Sequence, residues 1–468
     1  MNDVKPYLEK LLQQNGIQIE NRHSTIFEAF TKEEESIISF NLIRKTQLHM
    51  IEKWKEKIQI EEIKTKHIIV SNGTVGKQYD FILDFKNNLI SGLGEYKIEL
   101  DENIGITFNA EENRFFGIPK EAGEHTILFL FKLKDSTVEQ PFNEKEIKLI
   151  INPDPKSLWV EKDSNKSDPY WKKDIDAAHS ELSSRQLVIA SKRGRSHAQE
   201  GIFRDDDFSY AFFEGSGWGL IAVADGAGGS KYSRKGSQIA CQELIKYFEN
   251  VEKEKLTDIE YAIQENFINS SEENQKKLSG LFIELLGSAA LWAQIKIRDE
   301  AIANNSVIKD YSTTLIFALV KRYENSFVIA SFWVGDGGIG IYNKDKNSVT
   351  ILGTPDSGEF AGQTRFLTMT DIFTDGAYAS RVRFKIVDDF TALILMTDGI
   401  TDPKFQTDNN LNKIEYWHEL WADLNGTNQD NCNVDFSKPL VDIQQDLINW
   451  LDFWSPGNHD DRTIAILF

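Results

Sequence analysis

Three apolar runs in this chain end on the same dipeptide. GLIAVA runs into Asp225-Gly226, FWVG into Asp336-Gly337 and LILMT into Asp398-Gly399. One Asp-Gly is an ordinary turn signal, and Asp375-Gly376, with polar flanks, reads as no more than that. Two further acidic clusters sit at strand starts: Asp205-Asp206-Asp207 before FSYAFFE, and Asp460-Asp461 before the last run, RTIAILF. Strand ends in a packed sheet can converge on one cleft. Carboxylates gathered there repel one another unless protons or divalent cations offset them. Oxygen-only donors favour magnesium or manganese over zinc. Two such ions can share a water, turn it into hydroxide near neutral pH and clamp a phosphoryl group for in-line attack.

Competing motifs fail on their context. Gly335-Asp336-Gly337-Gly338-Ile339-Gly340 spells G-x-G-x-x-G, but IYNKDKNSVTIL after it reads as strand and hairpin, where a dinucleotide site needs a helix. Asp408, Asn410, Asn412 and Glu419 have calcium-loop spacing, yet Lys413 occupies the position that needs glycine. His418-Glu419 begins a zinc-protease motif whose second histidine would be Ala422. Only two cysteines, Cys241 and Cys432, are present, which excludes a disulfide framework and an all-cysteine metal site.

The pattern along the chain divides it into four stretches. Residues 1–65 read as helix, with apolar positions at three- and four-residue spacing and Ser24-Thr25 placed to cap the second helix. Residues 66–153 switch to period two, in short β-rich runs such as HTILFLFKL and KEIKLIIN, and suggest a small antiparallel sandwich. Residues 154–180 mix Pro, Ser, Asp and Lys as a linker does, with Trp159, Tyr170 and Trp171 packing against a neighbour. Residues 181–468 alternate apolar strands with long helices, most simply two packed sheets with flanking helices.

Two resemblances follow from these residues. Gly105-Ile106-Thr107-Phe108 and the run from Gly117 to Thr126 are similar to the signature of bacterial immunoglobulin-like modules. Residues 190–468 resemble the metal-dependent PP2C-type (PPM) serine/threonine phosphatases in six ordered elements. These are Ser191–Asp207, Val223–Ser230 with Gly236-Ser237, Tyr311–Thr314, Val334–Gly338, Thr397–Asp402 and Asp460–Ile464. The implied fold is multidomain: a PP2C-like α+β sandwich flanked by helices, preceded by a small all-β immunoglobulin-like domain and an N-terminal helical segment.

The resemblance also implies roles. Asp225 would bridge two manganese or magnesium ions, with the Gly226 carbonyl on one of them. Asp398 and Asp460 would complete the first site. Asp205, where the family usually has Glu, would reach the second through water, with Asp206 alongside. Asp336, Asp398 and Asp402 match the family's weaker third site. The implied activity is removal of phosphate from phosphoserine and phosphothreonine of proteins by direct attack of a metal-bridging hydroxide. The alternative is a catalytically weak, phosphoprotein-binding regulatory module on the same fold.

Departures from the pattern matter. The spacing of the family's phosphate-binding arginine falls on Gly201, leaving Arg193, Arg195 and Arg204 as substitutes, Arg195 first, because a planar guanidinium fork can hold phosphate through two bonds. Ala227 stands where some members carry a histidine general acid. Gly337 and Gly338 replace the usual Ser-Arg. His197 and His459 flank the site, either as structural residues or as phosphate contacts and proton donors.

The formal net charge of −20, from 73 acidic and 53 basic residues, argues against nucleic acid as a partner. The amphipathic start, MNDVKPYLEKLLQQNG, resembles no signal peptide, and no run of 18 apolar residues suggests a membrane span. A cytoplasmic signalling enzyme is therefore expected, with phosphoproteins as partners and a serine/threonine kinase opposing it. The N-terminal module either binds a protein partner or acts as a spacer.

Overall fold

The computed structural model describes residues 4–84, 92–251, 253–356 and 364–468. Two compact units divide the chain, Met1–Leu158 and Trp159–Phe468.

In the first unit, α1 (Val4–Gln14), α2 (Ser24–Phe30) and the 32-residue α3 (Glu34–Thr65) precede seven strands. Ser24 is the first helical residue of α2 rather than its cap. A 3₁₀ turn, Asn21–His23, runs directly into the helix, and the Ser24 hydroxyl donates back to the Asn21 carbonyl. The strands are β1 (Gly73–Thr74), β2 (Tyr79–Ile82), β3 (Leu93–Glu99), β4 (Ile106–Asn109), β5 (Arg114–Gly117), β6 (Gly123–Leu133) and β7 (Asn143–Asn152). They form a four-stranded sheet, β1-β7-β6-β3, and a three-stranded sheet, β2-β5-β4. Every second residue at the end of β7 (Ile147, Leu149, Ile151) is buried, as a strand with one solvated face requires. These residues share a core with Phe115, Phe129, Phe131 and Ile63 of α3.

The second unit contains β8 (Ile175–Leu182), β9 (Arg185–Lys192), α4 (Arg195–Glu200), β10 (Asp207–Phe213), β11 (Trp218–Ala224), α5 (Ser233–Asn250), α6 (Lys253–Ile268) and α7 (Glu272–Ala303). It continues with β12 (Leu315–Tyr323), β13 (Ser326–Val334), β14 (Gly338–Asn343), β15 (Ser348–Gly353), β16 (Val382–Val387) and β17 (Ala392–Met396). The chain closes with α8 (Asp398–Phe405), α9 (Ile414–Leu424), α10 (Leu440–Trp450) and β18 (Arg462–Leu467). Two antiparallel sheets result, β10-β11-β12-β13-β16 and β15-β14-β17-β18-β9-β8. Central strands such as β11, β17 and β18 are buried on both faces, so their side chains sort by parity. Ile221 and Val223 of β11 meet Leu393 and Leu395 of β17 between the sheets. Leu220, Ala222 and Ala224 turn outward onto α5 and α7. Ile394 and Met396 turn outward onto α8, α9 and α10. The arrangement is four layers, helix–sheet–sheet–helix.

Two expectations need correcting. Residues 175–180, assigned to a linker by composition, are the body of β8, whose partner is β9. The polar letters of IDAAHSEL suit an edge strand, and composition cannot tell that from a linker. In addition, α7 is long and apolar enough to cross a membrane by length and composition, although no run of 18 apolar residues exists. Leu278, Phe282, Leu285, Leu286, Ala289 and Ala290 pack into the core beside the five-stranded sheet.

Candidate metal centre

Strand register within each sheet, together with the packing of one sheet on the other, brings the acidic positions together. Asp207 at the start of β10 pairs with Ala224 at the end of β11, so Asp206 and Asp225 leave the sheet side by side. Met396 at the end of β17 pairs with Ile464 near the start of β18, so Asp398 lies beside Asp460-Asp461. Met396 also pairs with Gly338 of β14, which draws in Asp336 from the crossing between the two sheets. Lys192 at the end of β9 pairs with Arg462, so the stretch carrying Asp205 starts at the same end. Antiparallel pairing puts each end of one strand beside the start of the next, and all these carboxylates share one rim.

Carboxylate oxygens of Asp225, Asp336 and Asp398 lie within 4.8 Å of one another. The backbone approaches closely around them. A Cβ on Gly399 would fall 1.9 Å from the Asp461 carbonyl oxygen, and one on Gly226 2.8 Å from that of Asp205. Only glycine fits either position, which is the physical content of the repeated Asp-Gly. Gly226 bridges to Thr313. Thr313 Oγ1 donates to the Asp225 carbonyl at 2.9 Å, and the Asp225 amide donates to Thr314 Oγ1 at 2.8 Å. Asp206, fully buried, accepts from Thr397 Oγ1 at 2.8 Å and Thr463 Oγ1 at 2.7 Å, joining the two sheets at the rim.

Burial and mutual repulsion raise the cluster's carboxyls above the ordinary range. Burial pushes Asp205 and Asp206 each up to about 7, with the Asp461 charge adding to it. Burial raises Asp225 and Asp398 well above the usual range, Asp398 adding most to the first and Asp336 to the second. Asp336 and Asp460 shift the same way, again chiefly through burial. Oδ1 of Asp206, Asp336 and Asp398 is buried with no hydrogen-bond partner among the described residues. Buried oxygens without donors are costly, and a hard cation is the natural counterpart. The donor set therefore fits magnesium or manganese. Asp402 is exposed and accepts from Asn458 Nδ2 at 3.4 Å, on the outer side of the group.

Asp461, to which the sequence reading assigned no role, is an internal brace. Its carboxylate accepts from the amides of Gly194 (2.6 Å) and Asp205 (2.5 Å) and sits 3.0 Å from His197 Nδ1. Burial opposes its charge, but these contacts outweigh burial and hold it below the usual range. Burial likewise opposes the His197 imidazolium, and Asp461 overrides it, pushing the ring up to about 10. His197 Nε2 lies 3.8 Å from Asp460 Oδ1. The only sequence signal for Asp461 was that it stands where the resembled family's closing element has Asn.

The arginines do not behave as expected. Arg195 donates to the Asp452 carboxylate at 2.8 Å and to the carbonyls of Asp452 and Phe453, with Trp454 against its guanidinium. Arg193 donates to the carbonyls of Ile202 and Lys162 and pairs with Asp174 at 3.2 Å. Arg204, 1% exposed, donates to Ser191 Oγ and to the carbonyls of Lys173 and Asp206. All three forks are engaged in joining segments of the fold. Sequence spacing cannot reveal this, because their acceptors are mostly backbone carbonyls. His459 is packed between the rings of Trp159 (4.4 Å) and Trp454 (4.9 Å), as a structural residue would be.

A family model described as protein phosphatase 2C matches residues 193–452. The closing Asp460–Ile464 element lies beyond that match, and the pairing of β18 with β17 and β9 is what carries it to the rim. Among solved structures, the chain is similar to the serine/threonine phosphatase Stp1 from Staphylococcus aureus, at 18% identity and a TM-score of 0.35, covering 62% of this chain and 98% of that one. It is also similar to the catalytic domain of the serine threonine protein phosphatase PstP in complex with two manganese ions, at 13% identity and a TM-score of 0.36, covering 60% and 97%. PppA of Pseudomonas aeruginosa matches at 15% identity and a TM-score of 0.33, covering 61% and 99%. No curated protein matches the chain. With a family model that spans more than half of the residues, the chain belongs to the protein phosphatase 2C family.

Proposed function

We propose that the chain removes phosphate from phosphoserine and phosphothreonine of proteins as a divalent-cation-dependent phosphomonoesterase. The observation that carries this reading is the convergence of Asp225, Asp336 and Asp398 at one rim, with buried oxygens that lack any donor among the described residues. Asp225 would be shared by two ions, with the Gly226 carbonyl on one of them. Asp398 and Asp460 would complete one site. Asp205, with Asp206 alongside, would serve the other, and Asp336 and Asp402 a third. When bound, such ions supply an activated water and a clamp for the phosphoryl group.

The chain's own residues hold this arrangement. Thr313 and Thr314 fix the backbone at Asp225, and Thr397 and Thr463 aim Asp206. Asp461 keeps the Asp205 amide and His197 in place, so that the imidazolium offsets part of the acidic charge beside Asp460. Ala227 offers no proton, so the leaving group would take its proton from water or from another side chain. The N-terminal module, read as immunoglobulin-like, would engage a protein partner, and the enzyme would oppose a serine/threonine kinase in the cytoplasm.

The test is hydrolysis of p-nitrophenyl phosphate and of a phosphothreonine peptide, with Mn²⁺ and with a chelator. Turnover of both that needs Mn²⁺ and is lost in Asp225→Ala is expected. Turnover that survives both chelation and that substitution would overturn the reading.

A further inference from the structure

The segment 159–174, which composition marks as a linker, sends one side chain underneath the acidic loop. Lys172 is 9% exposed. Its Nζ lies 2.5 Å from the Asp206 carbonyl oxygen, 3.1 Å from Asp207 Oδ2 and 3.4 Å from the Asp205 carbonyl oxygen. The Arg234 carbonyl (3.4 Å) and Ser237 Oγ (3.5 Å) complete its surroundings. One ammonium therefore touches three consecutive aspartates, two through backbone and one through its carboxylate. From the opposite side, Asp461 takes the Asp205 amide.

The segment is itself fastened. Arg234 donates to Asp168 Oδ1 (2.8 Å) and to the Tyr170 carbonyl (3.2 Å), and Tyr170 Oη donates to Glu300 (2.9 Å). Lys172 is thus held at both ends of its reach. An ammonium carries three donors and accepts nothing, so burying it among carbonyls and one carboxylate makes it a fixed point from which a loop can be hung. It also lies upstream of residue 193, where the family match begins.

We infer that Lys172 is a positioning residue for one of the two cation sites, the one served by Asp205 and Asp206, and not for the one served by Asp398 and Asp460. The inference rests on the proposed metal reading. Its selectivity follows from the contact pattern: Lys172 reaches residues 205, 206 and 207 and no atom of residues 398 or 460.

The test separates bonding from charge. Lys172→Met alone leaves Asp207 unpaired and adds negative charge, which would attract cations while the loop loosens. Lys172→Met with Asp207→Asn keeps the pair neutral and removes only the hydrogen bonds. Mn²⁺ titration followed by the electron paramagnetic resonance of the free ion reads stoichiometry and affinity without any turnover. Wild type is expected to bind two ions tightly at the cluster, the weaker third site at Asp336 filling only at higher Mn²⁺. The double variant should bind one with wild-type affinity and the other at least about tenfold more weakly, as loss of outer-sphere support does.

Two ions bound with wild-type affinity in the double variant would overturn the inference, and so would equal weakening of both. If the double variant fails to give a native near-ultraviolet circular dichroism spectrum, Ser237→Ala decides. That change leaves every charge in place and removes the hydroxyl that accepts from Lys172 and donates to the Asp205 and Arg234 carbonyls. About threefold weaker binding of one ion is expected there, and no change overturns the inference. Wild type that binds no Mn²⁺ would instead sink the metal reading, and this inference with it.

Discussion

Each unit of this chain contains a helix of 32 residues, and the two are used in opposite ways. In α7, nine side chains are buried, from Leu278 to Ala301, in the core beside the five-stranded sheet. In α3, only Ser36, Phe40 and Ile63 are buried, while Leu42, Leu48, Met50, Ile51 and Trp54 lie at least half exposed. Equal length therefore does not decide how a helix is used; α7 is also the more apolar of the two. α7 is held by packing along most of its length, whereas α3 is packed at Phe40 and Ile63 and leaves most of its apolar side chains exposed. The contrast extends to polar groups. Unit 159–468 buries Asp205, Asp206, Asp461 and Arg204, whereas the buried polar residues described in unit 1–158 are Thr31, Ser36 and Lys132. Costly buried carboxylates mark the unit that does chemistry.

The largest expected effect breaks that contrast at its centre. Asp225→Ala should lower Mn²⁺-dependent turnover of p-nitrophenyl phosphate by more than about 100-fold, whereas no single substitution in residues 4–84 should change it by more than about twofold. A comparable loss from α3 would show that the first unit contributes to catalysis.

Next come the two helices. Phe282→Ala in α7 removes a fully buried ring that meets Trp218 at 6.1 Å and should cost about 3–5 kcal/mol in denaturant unfolding. Trp54→Ala in α3, 64% exposed, should cost less than about 0.5 kcal/mol.

The cluster's titration sharpens the comparison further. Asp205 and Asp206 are each pushed up to about 7 from the ordinary carboxylate range. Groups raised in the folded state stabilise it below their unfolded pKa and lose that contribution as pH rises through the folded value. In chelator, thermal stability of residues 159–468 should therefore fall between about pH 4 and pH 7, and Mn²⁺ should flatten the profile. A fall toward acid over that range would contradict the assignment.

The smallest effect on catalysis concerns Arg195. Its bonds to Asp452 and two carbonyls predict that Arg195→Ala costs about 1–3 kcal/mol of stability while leaving KM for p-nitrophenyl phosphate within about twofold. A large rise in KM with unchanged stability would restore it as a phosphate ligand.

Much of the centre was legible because each ligand candidate follows or precedes an apolar strand, and strand ends announce themselves locally. Asp225, Asp336 and Asp398 were found this way. Asp461 and Lys172 were not, since a brace is defined by what it touches and their partners lie far away in sequence: Gly194 and Asp205 for the first, Asp205 to Asp207 for the second. The arginines failed for the mirror-image reason. Their residue type suits phosphate, but nearby carbonyls claimed them first. The segment at 175–180 misled because edge strands and linkers share a polar composition.

What the sequence determined by itself was the apolar core strands, though not the polar edge strand β8, with their terminal aspartates and the glycines that let those ends approach, because burial pattern and turn chemistry are short-range properties. Which carboxylates share a rim, which acid became a buried brace and which cation anchors the acidic loop were decided only by tertiary structure. Those outcomes depend on pairing register and on distances between residues some 30 to more than 250 positions apart, such as Lys172 with Asp205 and Asp205 with Asp461. No local pattern encodes them.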